Sequence, residues 1–373
     1  MNLLETSLEL LIVVIAVVSL AANLLVLLCF TCSAEVRAQV PGLFIINLSF
    51  CNILIAVLNM PSTLLGVVKR QKPFGDCFCY TVSFMDTFLT TNTMLSMAAL
   101  SIDRWIAVVF PLTYSSKMRH KDALLMVSYS WLHSLAFSLT AFLLSWVDFN
   151  PVYASCTVHL AEEGFRGQFV VFTVVFHSST FALSLFILCF TYLKVLKVAR
   201  FHCNRIDVIT VQTLLLLVNI QPSVKQRCLH EQKKRRRRAT KKICIFIGSF
   251  VMCFAPYVIT RLTELLLSVQ INHDWGITSK CLMYSKAASD PFVYSLLRKQ
   301  YKKALAGVRN RILGQNSYPL SVQSSPANTA NEYYTQRVTK LLKDNYYNKK
   351  TTDILGNVQS INVNGKNPDL IVS

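Results

Sequence analysis

The chain has 373 residues, of which 53% are hydrophobic and 15% are charged, and its mean hydropathy is +0.42. This composition is too apolar for an ordinary soluble domain and indicates a membrane protein. The formal net charge of +19 is compatible with nucleic-acid binding, but no zinc-finger spacing and no basic globular domain accompany it. We therefore expect membrane lipid, and no nucleic acid, to face these basic residues at the cytoplasmic flanks of membrane helices.

Seven apolar runs with few charges recur along the chain. They cover residues 10–30, 41–68, 78–102, 123–147, 169–193, 243–260 and 281–297. Most reach the roughly 20 residues that a helix needs to span a bilayer, and the last two do so with a few flanking residues. Because the runs are continuous rather than alternating, they favour helices over barrel strands. The sequence predicts an all-α membrane protein with a seven-transmembrane helix bundle over residues 9–298, after a short extracellular N-terminus, residues 1–8.

Basic residues predict the orientation of the bundle. One group, residues 117–121, and a denser one, residues 233–242, fall in loops on the same side when the N-terminus is outside. Cytoplasmic loops carry the excess of Lys and Arg, although Lys69, Arg70 and Lys72 in an outer loop run against this trend. We expect a multi-pass protein of the plasma membrane with an extracellular N-terminus and a cytoplasmic tail.

The cytoplasmic segments have their own patterns. The third inner loop, about residues 201–238, is long, and its apolar stretch 206–220 is too short to span a membrane. That stretch is either an interfacial helix or an extension of a neighbouring helix, and we favour the second. Residues 299–313 combine basic residues with apolar ones at helical spacing, which predicts an amphipathic eighth helix on the inner leaflet. The polar tail, residues 314–373, is expected to be disordered.

One predicted helix carries a charge towards each of its ends. Asp86 and Arg104 are eighteen residues apart, which is five helical turns and a rise of about 27 Å. Charges facing lipid are costly, so both side chains are expected to face the protein interior. The layout indicates a ligand-binding end and an effector-binding end.

Two of the twelve cysteines differ from the others. Most lie within the apolar runs, where a free thiol behaves as a small apolar side chain. Cys79 and Cys156 fall on the outer side, which is an oxidising compartment. We expect a disulfide between them, with Cys77 as the competing partner.

Several short motifs occur in order on the predicted spans, and together they resemble the rhodopsin-like (class A) G-protein-coupled receptor family. The matching residues are Asn23, Asn47-Leu48-Ser49, Asp103-Arg104-Trp105, Pro111-Leu112, Trp131, Tyr192, Phe250, Cys253-Phe254-Ala255-Pro256-Tyr257 and Asp290-Pro291-Phe292-Val293-Tyr294. The resemblance covers about residues 8–313 and is strongest to the small orphan group that includes receptors twenty-six and seventy-eight.

The resemblance implies a heterotrimeric G protein as partner, with the stimulatory class favoured. Arg104 would be the G-protein contact, and Leu112 is either an apolar knob for the same partner or an ordinary helix-end residue. The other residues implied at this coupling end are Asp103, Tyr192, Arg236 and Tyr294. Serines and threonines of the tail would accept the phosphates that receptor kinases add and arrestin recognises.

The chain departs from the family pattern at positions that matter for switching. Asn52 replaces an acidic sodium ligand, and Lys286 lies one turn before Asp290, so the polar site that these three form with Asn23 should bind sodium poorly. Arg236 stands where many members have an acid that restrains Arg104, which predicts basal activity. Two further replacements are Phe254 for the usual tryptophan and Ser184 for a proline.

The ligand pocket is predicted around Asp86, at the position where amine receptors hold an ammonium group. Phe254, Tyr257, Lys280 and Tyr284 would complete it. Two interpretations stay open, because Asp86 can pair with a ligand amine or with Lys280 itself. The sequence names no ligand.

Two other functions compete with a receptor. A transporter or channel would use Asp86, Lys286 and Asp290 as an intramembrane charge relay, and a non-signalling heptahelical protein would only pair with other receptors. No nucleophile–base pair or metal-ligand cluster occurs in a consistent place in the sequence. We therefore expect no enzymatic activity, no cofactor and no metal.

Overall fold

The computed structural model describes residues 3–73, 75–160, 163–216, 222–296 and 299–312. In this part of the chain, seven long helices follow one another, as predicted, and an eighth shorter helix follows them. The bounds are α1, Leu3–Cys32; α2, Pro41–Lys69; α3, Gly75–Val109; α4, His120–Leu143; α5, Arg166–His177 continued by Leu183–Leu216; α6, Pro222–Leu266; α7, His273–Asp290; and α8, Lys299–Ile312. Short π turns, Ile55–Asn59 and Ser178–Ala182, lie within α2 and α5, and a third, Pro291–Leu296, continues α7.

Five of the described helices are long and apolar enough to cross a membrane. Their apolar spans are Leu4–Cys32, Pro41–Lys69, His120–Leu143, Arg166–Val198 and Cys244–Leu266. Helices α3 and α7 are not among the five because they carry buried polar and charged side chains, such as Asp86 on α3 and Lys280 on α7. A helix can present such residues within a bundle when they face other helices rather than lipid.

Helix α3 lies at the centre of the bundle and contacts α2, α4, α5 and both strands of an outer hairpin. A hydrogen-bonded cluster joins α2, α3 and α4. The Asn47 amide donates to Asn92 at 2.7 Å and to Ser96 at 2.8 Å, and the Trp131 indole donates to Asn47 at 2.7 Å. Buried amides with such partners fix the relative positions of the helices that carry them.

Two boundaries differ from the predicted ones. Helix α1 begins at Leu3 rather than near residue 9, and an ion pair between Glu5 and Arg70 ties its first turn to the end of α2. The predicted long loop is largely helical, because α5 continues to Leu216 and α6 begins at Pro222. The stretch 206–220 therefore extends α5 as far as Leu216, in agreement with the favoured interpretation.

A β-hairpin, which was not predicted, connects α4 and α5. Strands β1, Val147–Asn150, and β2, Ser155–Val158, are antiparallel, with Asn150 opposite Ser155. The predicted disulfide joins Cys156 of β2 to Cys79 of α3, whereas Cys77 is free and exposed. The disulfide fixes the hairpin to the outer end of α3.

An ion pair also holds strand β1. The Lys72 ammonium lies 2.6 Å from the Asp148 carboxylate and 2.7 Å from Asp76. Partial burial favours the neutral form of Asp148, but hydrogen bonds from Lys72 and from the Phe149 amide outweigh burial and lower the pKa of Asp148. Both partners are therefore charged at neutral pH.

The chain divides into two compact units, of which the first is Met1–Arg309. In it, the buried Tyr301 of α8 packs with Val26, Cys29, Val36 and Ile45. Of the second unit, Asn310–Ser373, the structure describes residues 310–312, the end of α8. The placement of α8 on the inner leaflet stays a prediction, and the tail from residue 314 lies outside the described residues.

Candidate functional site

An ion pair between α3 and α7 lies in the outer half of the bundle. The Lys280 ammonium is 2.5 Å from Oδ2 of Asp86, and Asn59 donates a hydrogen bond of 3.0 Å to Oδ1 of the same carboxylate. Lys280 is fully buried and Asp86 is 5% exposed. Both carboxylate oxygens thus have partners, and the structure contains the second of the two interpretations, the internal pair.

Two tyrosine rings flank the Lys280 ammonium. It lies 4.8 Å from the centre of the Tyr257 ring and 5.5 Å from that of Tyr284, which are cation–π distances. The Tyr284 hydroxyl is 2.9 Å from Thr63, and the Tyr257 hydroxyl is 3.3 Å from Thr157. These contacts link α2, α6, α7 and the hairpin around one ammonium group.

Phe254 and Tyr284, two of the predicted pocket residues, line a cavity that reaches the inner polar site. The Phe254 ring contacts Phe250, with 5.1 Å between ring centres. The cavity has a volume of about 10 Å³ and is also lined by Asn52 and Lys286. Phe254 therefore lies beside the inner polar site, and Tyr284 links this cavity to the Lys280 ammonium.

A small cavity of about 40 Å³ adjoins Asp86 between α3, α5 and α6. Among its lining residues, the Thr91 and Thr173 hydroxyls and Nδ1 of His177 are buried and have no hydrogen-bond partner. At about 10–15 Å³ per water, the space suits a few waters or a small group. The site is polar on one side, and the remaining lining includes Met94, Phe172 and Val258.

The hairpin closes the outer end of this site. Tyr153, at the hairpin tip, is fully buried, and its ring packs edge-on against Tyr257 with 5.3 Å between ring centres. Burial raises the pKa of Tyr153, so its hydroxyl stays protonated and donates to Glu264 at 2.9 Å. Arg261 of α6 donates to Glu264 at 3.0 Å and to the Val158 carbonyl at 2.5 Å. None of these four hairpin and α6 contacts was predicted from the sequence.

Two glycines allow the hairpin tip to lie close to the helices. A Cβ atom at Gly66 of α2 would lie 2.1 Å from the Ala154 carbonyl oxygen, and one at Gly276 of α7 would lie 2.2 Å from that of Val152. Any side chain at either position would collide with the hairpin backbone. The tip is therefore wedged between α2 and α7.

The inner polar site brings together the four residues predicted for it. Lys286 forms an ion pair with Asp290 on the same face of α7, and the Asn52 amide donates to Asp290 at 3.2 Å and to Asn23 at 3.3 Å. Asn23 in turn donates to the Ala287 carbonyl at 3.0 Å. An internal ammonium thus lies beside the acid where the family pattern implies a sodium ion.

At the other end of α3, Arg104 lies 3.1 Å from its neighbour Asp103. Tyr114 donates a hydrogen bond of 2.7 Å to the same buried carboxylate, and burial followed by the contact with Asp103 raises the pKa of Tyr114. Leu112 is 96% exposed, which excludes ordinary helix-end burial.

The remaining coupling residues are partly described. Tyr192 of α5 is buried, and its ring centre lies 4.6 Å from that of Phe246 on α6. Arg236 lies on α6 and Tyr294 in the turn after α7, and the side chains of both are outside the described residues.

Residues 22–294 match the family described as "7 transmembrane receptor (rhodopsin family)". The chain belongs to this family. The receptor is 61% identical to G-protein coupled receptor 26 of Rattus norvegicus over 300 residues, which cover 80% of this chain and 89% of that protein. It is 48% identical to G-protein coupled receptor 78 of Homo sapiens over 315 residues, or 84% of this chain and 87% of that protein. The Histamine H2 receptor of Homo sapiens is 25% identical over 320 residues, which cover 84% of this chain and 82% of that protein.

Membership establishes a G-protein-coupled receptor of the multi-pass membrane type and not an enzyme. The predicted resemblance to receptors twenty-six and seventy-eight is confirmed. Most motif residues lie on the helices where the family pattern places them, and one of the departures from the pattern, Lys286, forms a buried ion pair with Asp290.

Proposed function

We propose that this receptor activates a heterotrimeric G protein of the stimulatory class without requiring a ligand. The observation that carries the proposal is the environment of Arg104. Among the described side chains, its acidic partner is Asp103, the adjacent residue on the same helix. Position 236 of α6, where many family members have a restraining acid, is arginine. A restraint that acts within α3 alone does not couple Arg104 to the position of α6.

The size of the effect follows from two-state arithmetic. A difference of about 1.4 kcal/mol between an inactive and an active packing of the helices changes their ratio tenfold. One partly buried ion pair is worth an amount of this order. A receptor that lacks the interhelical pair therefore populates its active packing more without ligand than a receptor that has it.

The test measures agonist-free nucleotide exchange on purified G proteins of each class, with the receptor in lipid nanodiscs. Exchange on the stimulatory class should rise with the amount of receptor, and Arg236→Glu should lower it. Arg235→Glu is the matched control, because it makes the same charge change at a position about 100° around the same helix. No exchange with any class, or a rise on Arg236→Glu, would contradict the proposal.

A ligand of this receptor would not be an amine that binds to Asp86. One relative, the Histamine H2 receptor, is named after an amine. In this chain, however, Asp86 is paired with Lys280. A ligand in the small cavity beside Asp86 would shift the balance between two existing packings of the helices rather than create the active one.

The competing functions predict other measurements. A transporter would move solute across reconstituted vesicles, but the charges proposed for its relay form two closed pairs, one with Asp86 and one with Asp290. A silent partner of other receptors would give no nucleotide exchange at any receptor density. Solute flux without nucleotide exchange would favour a transporter. The absence of both activities would favour a silent partner of other receptors.

We also propose an extracellular N-terminus and a cytoplasmic tail that receptor kinases phosphorylate and arrestin binds. The disulfide between Cys79 and Cys156 supports this orientation, because disulfides persist on the oxidising side. An N-terminal epitope should react with antibody on intact cells. Replacing the serines and threonines of residues 317–329 with alanine should reduce arrestin recruitment.

A further inference from the structure

The surroundings of the Lys280 ammonium have the composition of a binding site for an organic cation. A carboxylate, Asp86, faces the ammonium, and Asn59 holds that carboxylate from the other side. Two aromatic rings, Tyr257 and Tyr284, flank the charge. A desolvated ammonium bound by a free ligand is stabilised by the same set of groups, a counter-ion and aromatic faces.

We propose that the Lys280 side chain is a tethered ligand. It occupies an ammonium-binding subsite that would otherwise take a primary alkylammonium ion. The subsite in the intact receptor is therefore closed to external amines, since both oxygens of Asp86 are already used. The proposal concerns binding alone and does not rest on the proposed basal activity.

The chemistry of the pair predicts what removing Lys280 does. Lys280→Ala leaves the Asp86 carboxylate buried with Asn59 as its remaining polar partner. An uncompensated buried charge is strongly unfavourable, so the carboxylate must take up a proton or a cation. The substitution removes three carbon atoms and the amino nitrogen beyond Cβ. The space it leaves has the shape of n-propylammonium and, like the small cavity, borders Asp86 and Tyr257.

The tethered side chain has an advantage over a free amine. A free ligand loses translational and rotational freedom on binding, whereas Lys280 is held in place by α7. Its effective concentration at Asp86 is high, so external amines cannot compete at ordinary concentrations. Lys280 alone therefore accounts for the exclusion of external amines from the pocket.

The experiment compares thermal unfolding of purified wild-type receptor, Lys280→Ala and Lys280→Ala/Asp86→Asn. Each is measured in nanodiscs with millimolar n-propylammonium chloride, 1-propanol, sodium propionate or sodium chloride. The midpoint of Lys280→Ala should rise with the logarithm of the n-propylammonium concentration, as expected for ligand binding to the folded state. The wild type and the double variant should not respond, and neither propanol nor propionate should replace the amine.

Lys280→Met is the matched control for volume. Its side chain fills much of the lysine space without a charge, so n-propylammonium should stabilise it much less than Lys280→Ala. A low yield of Lys280→Ala is handled by a second measurement, which counts receptors on cells grown with n-propylammonium in the medium. Surface number should rise for this variant and not for the double variant.

Three results would overturn the proposal. They are an equal response in the wild type, a response that survives Asp86→Asn, and no rise in either midpoint or surface number for Lys280→Ala. Both readouts are independent of G protein. A receptor with no basal activity can therefore still have the tethered ammonium, and a receptor with basal activity can lack it.

Discussion

The pair of Lys286 and Asp290 gives the sharpest test of the inner polar site. Each side chain is 1% exposed, and the second carboxylate oxygen of Asp290 accepts a hydrogen bond from Asn52. Lys286→Met removes the positive charge but keeps much of the side-chain volume. Removing one partner of a buried ion pair typically costs about 3–5 kcal/mol, because the other charge stays buried without compensation.

In the variant Asn52 still donates a hydrogen bond to Asp290, so the remaining carboxylate is partly compensated and the loss should lie towards or below the lower end of this range. We therefore expect Lys286→Met to destabilise the receptor by about 2–4 kcal/mol. The double variant Lys286→Met/Asp290→Asn removes both charges and should be close to the wild type, since replacing a whole buried pair is often neutral. The coupling free energy between the two positions should then be about 2 kcal/mol or more.

The assay is thermal denaturation of the purified variants in one detergent, read as a shift in midpoint against the wild type. Lys302→Met, which changes an exposed lysine of α8, is the matched control and should shift the midpoint little. A Lys286→Met variant that melts like the wild type would contradict the expected loss. A double variant that is no more stable than Lys286→Met would contradict the expected coupling.

Three further outcomes are expected. Sodium chloride and choline chloride should give equal basal signalling, because an internal ammonium already compensates Asp290; a selective fall with sodium would contradict this. Gly276→Ala should increase hydrogen exchange at the hairpin tip, whereas Gly167→Ala, whose Cβ would meet nothing within 4 Å, should not. Cys156→Ser should lower surface expression, because losing a disulfide costs about 2–5 kcal/mol in small secreted domains, and Cys77→Ser should leave it unchanged.

The seven helices could be predicted because apolar length is a direct requirement of the bilayer. The spans of α3 and α7 were identified from the apolar runs 78–102 and 281–297, although both helices carry charged side chains. Both carry side chains that only the surrounding helices make tolerable, such as Asp86 on α3 and Lys280 on α7. A hydropathy scale predicts which residues are stable in contact with lipid, whereas these residues contact other helices.

The site was predictable in part. The pairing of Asp86 with Lys280 was one of two interpretations. The sequence could not distinguish them, because they depend on the distance between α3 and α7. Asn59 was missed for a different reason. It ends a π turn, which changes the phase of α2, so a regular spacing of 3.6 residues does not place its side chain.

The hairpin was missed because its strands have four residues each and no strong alternation. The roles of Gly66 and Gly276 could not be predicted either. A glycine in a helix is ordinarily unfavourable, and its purpose emerges only when the hairpin backbone is placed beside it. The residues that close the outer end are thus defined by contacts between segments distant in sequence.

The length of α6 has a mechanical consequence. The helix has 45 residues, about 68 Å, whereas its apolar span, Cys244–Leu266, has 23. Pro256 cannot donate its helical hydrogen bond and is the natural point of bending within it. The arm from Pro256 to Pro222 measures about 51 Å, so a bend of about 5° displaces its far end by about 4 Å. The helix acts as a lever that converts a small angular change at Pro256 into a displacement larger than the diameter of a water molecule.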